Sequence, residues 1–524
     1  MSSGNMISVE NDSVSRNRIV SEIDRNFFVE AGAGSGKTSM LVRRMVAMVE
    51  AGKPISKISA ITFTKAAAGE FYDRFQKLLI ERSNPNVEWK DMGWAGQLPK
   101  PTEETRRRCA DALQDIDLCF MGTIDAFCFS VLSEHPYEAG IPSDAKIISD
   151  PDEETVFRQE YVKISRGDHE QELYELAKKY RALHRNAEEV FVAGMDFVMK
   201  NRNVSFHFSK NAGIDIDRDF AGDRQELIKA LKCLVDHPEL KYDKEIKSAE
   251  AWEEISAIYN AVRSRWSSNF PNLVYQLKTL KKLRVKTEAL DQYRVSLGPA
   301  LVEGGKSGKW LEFSAVQDGA IYDRLLKLRY DVSMTFLTAC VPVIETAMRD
   351  KGYLSYFDCL YYLRNMLKND AEKDGKLIRY IYDRHSYFLI DEFQDTNPMQ
   401  AEVFFYLTSE HPVPQWSACR PRPGSLFIVG DPKQSIYRFR SADVTSFLKV
   451  KKLFEENGGS ILSLSRNFRS TRTLCEYFNR VFTALLPEET ENQSRFEDIP
   501  LPEPREGEFQ GIYTYKAYSG QAEA

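Results

Sequence analysis

Residues 26–38 read Asn26-Phe27-Phe28-Val29-Glu30-Ala31-Gly32-Ala33-Gly34-Ser35-Gly36-Lys37-Thr38, an apolar run that empties into a glycine-rich loop ending on lysine and threonine. The run Asn26 to Glu30 is short and aromatic, which suits a buried strand. Glycines 32, 34 and 36 let the backbone turn sharply and aim several N–H groups at one point. Alanine 31 stands where the usual phosphate-loop pattern begins with glycine. Thr38 to Glu50 has helix-forming spacing and stops at Gly52, so the loop is predicted to open into a helix N-terminus, where backbone donors and the helix dipole favour phosphate. Residues Ala31 to Thr38 are therefore the expected nucleotide cradle. Lys37 would face the β- and γ-phosphates, and the Thr38 hydroxyl would hold Mg²⁺.

The length of 524 residues implies roughly three to four domains. Hydrophobic content of 43% and charged content of 28% are ordinary for a globular protein. The net charge of −6 announces no global field for nucleic acid, so any DNA contact must come from local basic surfaces or from stacking. Eight cysteines are scattered without a Cys-x-x-Cys pair, which supports neither a zinc site nor a disulfide framework and points to a reducing cytosol. The polar start, Met1 to Asn17, lacks the core of a signal peptide, and no run reads as a bilayer span. A cytoplasmic protein without a membrane partner is the expectation.

Ser56 to Thr64 is a second β-like run, and strand, helix and strand make a βαβ unit with a parallel sheet. Lys65 to Ile80 reads as a helix, Ser83 to Pro101 as a loop, Glu103 to Gln114 as a helix and Leu118 to Thr123 as a strand. From about Pro136 to Gly352 the chain is charged, helical in pattern and free of phosphate or catalytic signatures, a separate insert of roughly two hundred residues. Within it Leu277 to Lys286 reads as a basic amphipathic helix or simply a solvated face. Strands then recur at Ser386 to Ile390, Leu426 to Val429 and Ser460 to Leu464. Thr471 to Leu486 reads as a helix, and Phe509 to Tyr515 as a last strand.

Asp391-Glu392, delivered by the apolar strand Ser386 to Ile390, is the natural partner of the phosphate loop. A carboxylate at a strand's C-terminal tip can hold Mg²⁺, usually through water. The second is placed to orient and deprotonate a water attacking the γ-phosphate. Asp391 is assigned to the metal and Glu392 to the base.

Several motifs in one order complete the reading: Ala31 to Thr38, Thr62-Phe63-Thr64-Lys65-Ala66-Ala67-Ala68-Gly69-Glu70, Gly122 to Cys128, Asp391-Glu392-Phe393-Gln394-Asp395-Thr396, Gly430 to Arg440, and Asn467-Phe468-Arg469-Ser470. Together they resemble the first part of a superfamily I helicase of the UvrD/RecB/AddA type, with a lean toward the RecB/AddA branch. The resemblance implies an α/β fold, a RecA-like P-loop NTPase domain with a large helical insert, followed by part of a second RecA-like domain. It implies an ATP- and Mg²⁺-dependent enzyme of DNA repair or recombination that moves 3′ to 5′ on single-stranded DNA and separates duplexes.

Site roles follow from the same resemblance. Phe63, with Thr64 and Lys65 beside it, and Tyr437, Phe439 and Arg440 form the DNA track, on which bases stack without regard to sequence. Gln434 is similar to the glutamine that senses the γ-phosphate, and Phe468 stands where the family stacks a tyrosine on adenine. Arg469 resembles an arginine that neutralises the γ-phosphate. The upstream glutamine that reads adenine has no counterpart around Asp12-Ser13-Val14-Ser15-Arg16, and Asp125 replaces a usual histidine.

The expected domains are 1–135 and 350–450 for the first motor, 136–349 for the insert, and 451–524 for the start of a second motor. The family's later motifs have no counterpart after Ser470, so the chain is expected to need a continuation or a partner polypeptide. By itself it is expected to bind nucleotide and DNA with very low turnover. Two other readings stay open: a non-hydrolysing nucleotide- and DNA-binding module of a larger complex, and a P-loop ATPase acting on something other than DNA.

Overall fold

The computed structural model describes residues 12–92, 95–209, 220–241, 246–264, 284–286, 293, 301–304, 310–313, 321–436, 444–485 and 516–517. The chain divides into two compact units, Met1–Ser143 with Tyr356–Ala524, and Asp144–Ser355.

The first unit is built on six strands: β1 (Phe27–Ala31), β2 (Ile58–Thr62), β3 (Phe120–Thr123), β4 (Tyr387–Ile390), β5 (Leu426–Gly430) and β6 (Ser460–Leu464). They lie in the order β6-β1-β5-β4-β2-β3, and every pairing is parallel. A parallel sheet is covered on both faces, which is why its central strands are mostly apolar rather than alternating. Phe27 and Val29 point into one core layer with Met45, Phe71 and Phe427. Phe28 points the other way, edge-on to Phe393, Phe447 and Phe454. Because all six strands run the same way, every motif read from the sequence leaves the same edge of the sheet.

Strand β6 lies beyond one expected boundary. The sequence places it in a second motor beginning near residue 451, but it pairs with β1 from Phe27↔Ser460 to Ala31↔Leu464. Strand order is a matter of non-local pairing, which local pattern does not carry. A short strand at Lys516–Ala517 pairs with Arg466–Asn467 beyond it. The expected strand at Phe509 to Tyr515 lies outside the described residues.

The helices that matter for the site are α1 (Asp12–Ser21), α2 (Lys37–Glu50), α3 (Lys65–Ser83), α4 (Glu103–Gln114) and α5 (Ile124–Glu134). Arg44 of α2 is only 1% exposed. It donates to the carbonyls of Ile19, Glu22, Ile23 and Arg25, capping the C-terminal end of α1. Burial pushes its pKa down to about 9. A cation there also complements the helix dipole.

The second unit centres on the long helix Ile321–Asp350, packed against helices Asp150–Arg166, Gln171–Leu183 and Ala187–Lys200. Its stretch Leu326–Asp350 is long and apolar enough to cross a membrane by length and composition, contrary to the sequence reading. Its Phe336, Leu337, Cys340, Ile344 and Met348 are buried among the neighbouring helices, as in a core helix. The unit is not wholly helical. Arg284–Lys286, Trp310–Phe313 and Leu301–Gly304 form an antiparallel three-stranded sheet. Arg284 to Lys286 therefore does not end an amphipathic helix, and residues 277–283 lie outside the described part. Strands of three or four residues are too short for alternation to be read against a helical background. All eight cysteines are free and buried.

Candidate functional site

The loop after β1 has the conformation its glycines permit. Gly34 and Gly36 adopt φ of 76° and 81°, and a Cβ on Gly34 would lie 2.8 Å from both Asn467 Oδ1 and Arg469 Cβ. Gly36 caps α2 in a left-handed conformation without a side-chain partner, so the first N–H groups of α2 remain open to a ligand. The Ser35 hydroxyl is buried and has no hydrogen-bond partner among the described residues. An unsatisfied hydroxyl beside open backbone donors fits a phosphate.

Strand β4 brings Asp391 and Glu392 to the loop. Lys37 Nζ lies 2.8 Å from Glu392 Oε2, with the lysine side chain 10% exposed and the glutamate 36%. Glu392 is the one described non-glycine residue with positive φ, at 51°. That strained backbone turns its side chain toward the lysine and costs of order 1–3 kcal/mol. Asp391 accepts from the Glu392 N–H at 2.9 Å. Its pKa is pushed up to about 6 by burial and by the Glu392 charge, against Lys37 and a hydrogen bond from Thr38. Asp395 is pushed up to about 6 for the same two reasons. Among the described residues no cluster of three His, Cys, Asp or Glu could cage a metal. Thr38 and Asp391 fit Mg²⁺ instead, which binds through one or two hard oxygens plus substrate phosphates and water.

The raised Asp391 pKa has a measurable consequence. Its folded value lies above the unfolded one, so its contribution to stability is complete below about pH 3.8 and is lost as pH rises through about 6. Without Mg²⁺, Asp391→Asn is therefore expected to stabilise the protein at about pH 7.5 by on the order of 2 kcal/mol. The gain should fade toward pH 4. Urea unfolding of both proteins across this range measures it, and an equal or lower midpoint for the variant at neutral pH contradicts the assignment.

Gln394 carries no role in the sequence reading, yet it joins two strand tips. It donates to Glu392 Oε2 at 2.7 Å and accepts from the Asp431 N–H at 2.8 Å. Gln434, expected as the γ-phosphate sensor, donates to Asp431 Oδ2 at 2.6 Å. A continuous chain thus runs from Lys37 through Glu392, Gln394 and Asp431 to Gln434. Gly430 makes this possible, since a Cβ there would meet Gln394 Oε1 at 2.8 Å.

A second clasp is also invisible in the sequence. Arg16 donates to both oxygens of Asp12, at 2.8 and 3.1 Å, and to the Ser35 carbonyl at 2.8 Å. Asp12 Oδ1 also accepts from the N–H groups of Ser465 and Arg466, at 2.9 and 3.2 Å. Helix α1, the phosphate loop and the segment after β6 are therefore tied at one point. The Phe468 N–H donates to the Gly34 carbonyl at 2.8 Å, and the Arg16 guanidinium lies 4.9 Å from the Phe468 ring centroid. Asn467 turns the chain back by accepting from the N–H groups of Arg469 and Ser470. Phe468 is 50% exposed and lines a cavity of about 650 Å³ with Arg16, Asn17, Ser39, Arg43 and Arg466.

On the expected DNA side, Phe63 is half-buried and Thr64 and Lys65 are exposed at the tip of β2. Thr64 caps α3 by accepting from the Ala67 N–H at 3.1 Å. Tyr437, Phe439 and Arg440 lie outside the described residues.

Comparison with known proteins completes the picture. The chain is 24% identical over 517 residues to an ATP-dependent helicase/nuclease subunit of Pediococcus pentosaceus, covering 91% of this chain and 39% of that protein. The proteins of the same name from Streptococcus uberis and Enterococcus faecalis are 26% and 24% identical, covering 88% and 89% of this chain and 38% of each relative. The chain thus spans well under half the length of these relatives. Residues 13–455 match the family described as UvrD/REP helicase N-terminal domain. With that match laid over the phosphate loop, the Asp391-Glu392 tip and the β6 turn, the chain belongs to the UvrD/REP helicase family.

Proposed function

We propose that this chain is the nucleotide-driven motor portion of a 3′-to-5′ DNA helicase that acts in repair or recombination alongside a partner polypeptide. The observation that carries the reading is the convergence of the phosphate loop, Asp391-Glu392, the Gln394–Asp431–Gln434 chain and Asn467-Arg469 at one sheet edge. The relatives are named as one subunit of a helicase/nuclease, which supports the partner.

ATP phosphates would take the open N–H groups of α2, and Lys37 would move from Glu392 to the β- and γ-oxygens. Thr38 and Asp391 would hold Mg²⁺, which would supply neutralisation of phosphate charge. Glu392, released from Lys37, orients the attacking water and receives its proton. Arg469 neutralises the γ-phosphate, in the manner of an arginine finger. Gln434, linked to Glu392 through Gln394 and Asp431, couples the state of the γ-phosphate to the DNA track.

For that track, Phe63→Ala is expected to cost about 1–3 kcal/mol of single-strand affinity with little change in salt slope. Lys65→Ala should instead flatten the slope by about one unit if the side chain meets a phosphate. Anisotropy titrations at several salt concentrations separate the two. Wild-type affinity in Phe63→Ala contradicts the track. DNA-stimulated phosphate release, with Glu392→Gln as the blank, separates a motor from a non-hydrolysing module.

A further inference from the structure

We propose that Gln394 is a positioning residue for hydrolysis, whose amide holds one oxygen of the Glu392 carboxylate so that the other faces the attacking water; this rests on the nucleotide reading given above. Glu392 accepts two side-chain hydrogen bonds among the described residues, from Lys37 Nζ at 2.8 Å and from Gln394 Nε2 at 2.7 Å, and both fall on Oε2. Oε1 keeps its lone pairs for a proton. The two donors differ in what a nucleotide does to them. Lys37 is drawn away to the phosphates, whereas Gln394 has no reason to move. It then remains as the described donor that keeps the base from sampling other rotamers.

The amide is held at both ends. Gln394 is buried, and its Oε1 accepts from the Asp431 N–H at 2.8 Å. A peptide N–H can only donate, so that contact identifies the carbonyl end of the amide and turns Nε2 toward Glu392. The second hydrogen on Nε2 faces Asp395 Oδ2 at 3.4 Å. A flipped amide would set donor against donor at Asp431 and acceptor against two carboxylates, leaving buried groups unpaired.

The backbone around this amide is pinned as well. The Ser435 hydroxyl donates to the Gln394 carbonyl at 3.1 Å, which ties it to the segment after β5. A Cβ on Gly430 would lie 2.8 Å from Gln394 Oε1 and 3.2 Å from its backbone nitrogen, so the β5 tip closes directly on the glutamine. A side chain used only to join two strand tips would need the Asp431 contact alone. Nothing in that task calls for a donor aimed at the one carboxylate assigned to the water.

The test is a double-mutant cycle in the full chain with single-stranded DNA, comparing wild type, Gln394→Met, Glu392→Gln and the double variant. Single-turnover phosphate release reads the chemistry, and a fluorescent ATP analogue reads binding. Gln394→Met is expected to slow release about 10–100-fold, the scale of a reacting group misplaced by about an ångström. Binding of the analogue should stay within about threefold of wild type. In the Glu392→Gln background the same change should slow release by less than about threefold more, because no base is left to position. Wild-type release in Gln394→Met overturns the proposal. An equal loss in both backgrounds also overturns it, since it marks a strut that acts independently of Glu392, and so does a loss of binding as large as the loss of rate. Should Glu392→Gln release phosphate as fast as wild type, the reading of Glu392 as base fails and the proposal with it. Urea unfolding checks the fold of each variant. Where Gln394→Met does not fold, Gln394→Glu takes its place, because it keeps an acceptor for the Asp431 N–H and removes the amide donor, and the same rates decide.

Discussion

Replacing Lys37 by alanine is expected to weaken Mg-ATP binding by on the order of 100-fold, whereas Glu392→Gln should bind at least as tightly as wild type. The lysine is largely buried and has one described carboxylate partner, Glu392, at 2.8 Å. Truncating one member of a desolvated, hydrogen-bonded charge pair costs about 2–5 kcal/mol when the other is a bound ligand. The phosphates must also draw Lys37 away from Glu392. Removing the glutamate's charge lowers that cost, so binding should hold or tighten while hydrolysis falls by roughly 10²–10⁴. Equilibrium titration with a fluorescent ATP analogue reads the binding, and single-turnover phosphate release reads the chemistry. Weaker binding in Glu392→Gln would mean that the ion pair does not compete with the nucleotide.

Asp12→Ala is expected to destabilise the first unit by about 3–5 kcal/mol. The aspartate is 5% exposed and answers four N–H donors: two from Arg16 and one each from Ser465 and Arg466. Alanine leaves the buried guanidinium, itself 4% exposed, without its counter-ion. Breaking such a pair from one side costs far more than the pair's net worth. Asp12→Asn keeps an acceptor for the two backbone groups and should lose less than Asp12→Ala. Urea unfolding, with nucleotide binding measured in parallel, checks both variants. Equal midpoints for wild type and Asp12→Ala rule out the clasp as a source of stability.

The parts of this site legible in the sequence are those that stay local. Gly34, Gly36, Lys37 and Thr38 announce a loop because turn, cation and helix start follow one another directly. Asp391 and Glu392 stand out because an apolar strand ends on them. Gln394 does not stand out, since its value lies in reaching Asp431, a residue brought near by the pairing of β4 with β5. The Asp12–Arg16 pair sits at helical spacing and reads as an ordinary surface ion pair. Its burial comes from Ser35 and Ser465, distant in the chain. Ser83 to Pro101 is legible as a loop because of its Pro, Gly and Asn content, but its clamping against Asn17 and Arg43 is not. The place of β6 beside β1 is hidden for the same reason: a parallel pairing across most of the chain leaves no local mark.

That pairing also sets a timetable for birth on the ribosome. Asn26, at the entrance to β1, receives a hydrogen bond from the N–H of Leu426, 400 residues later. At about 5–20 residues per second, the strand waits on the order of 20–80 seconds for both its neighbours to emerge. Its phenylalanines and its two open edges are exposed meanwhile, the state most prone to unwanted pairing. Asp144–Ser355, which carries its own hydrophobic clusters, is complete before β5 appears and can fold during the wait. Nascent chains stalled before Leu426 should therefore hold a protease-resistant insert and a protease-sensitive β1.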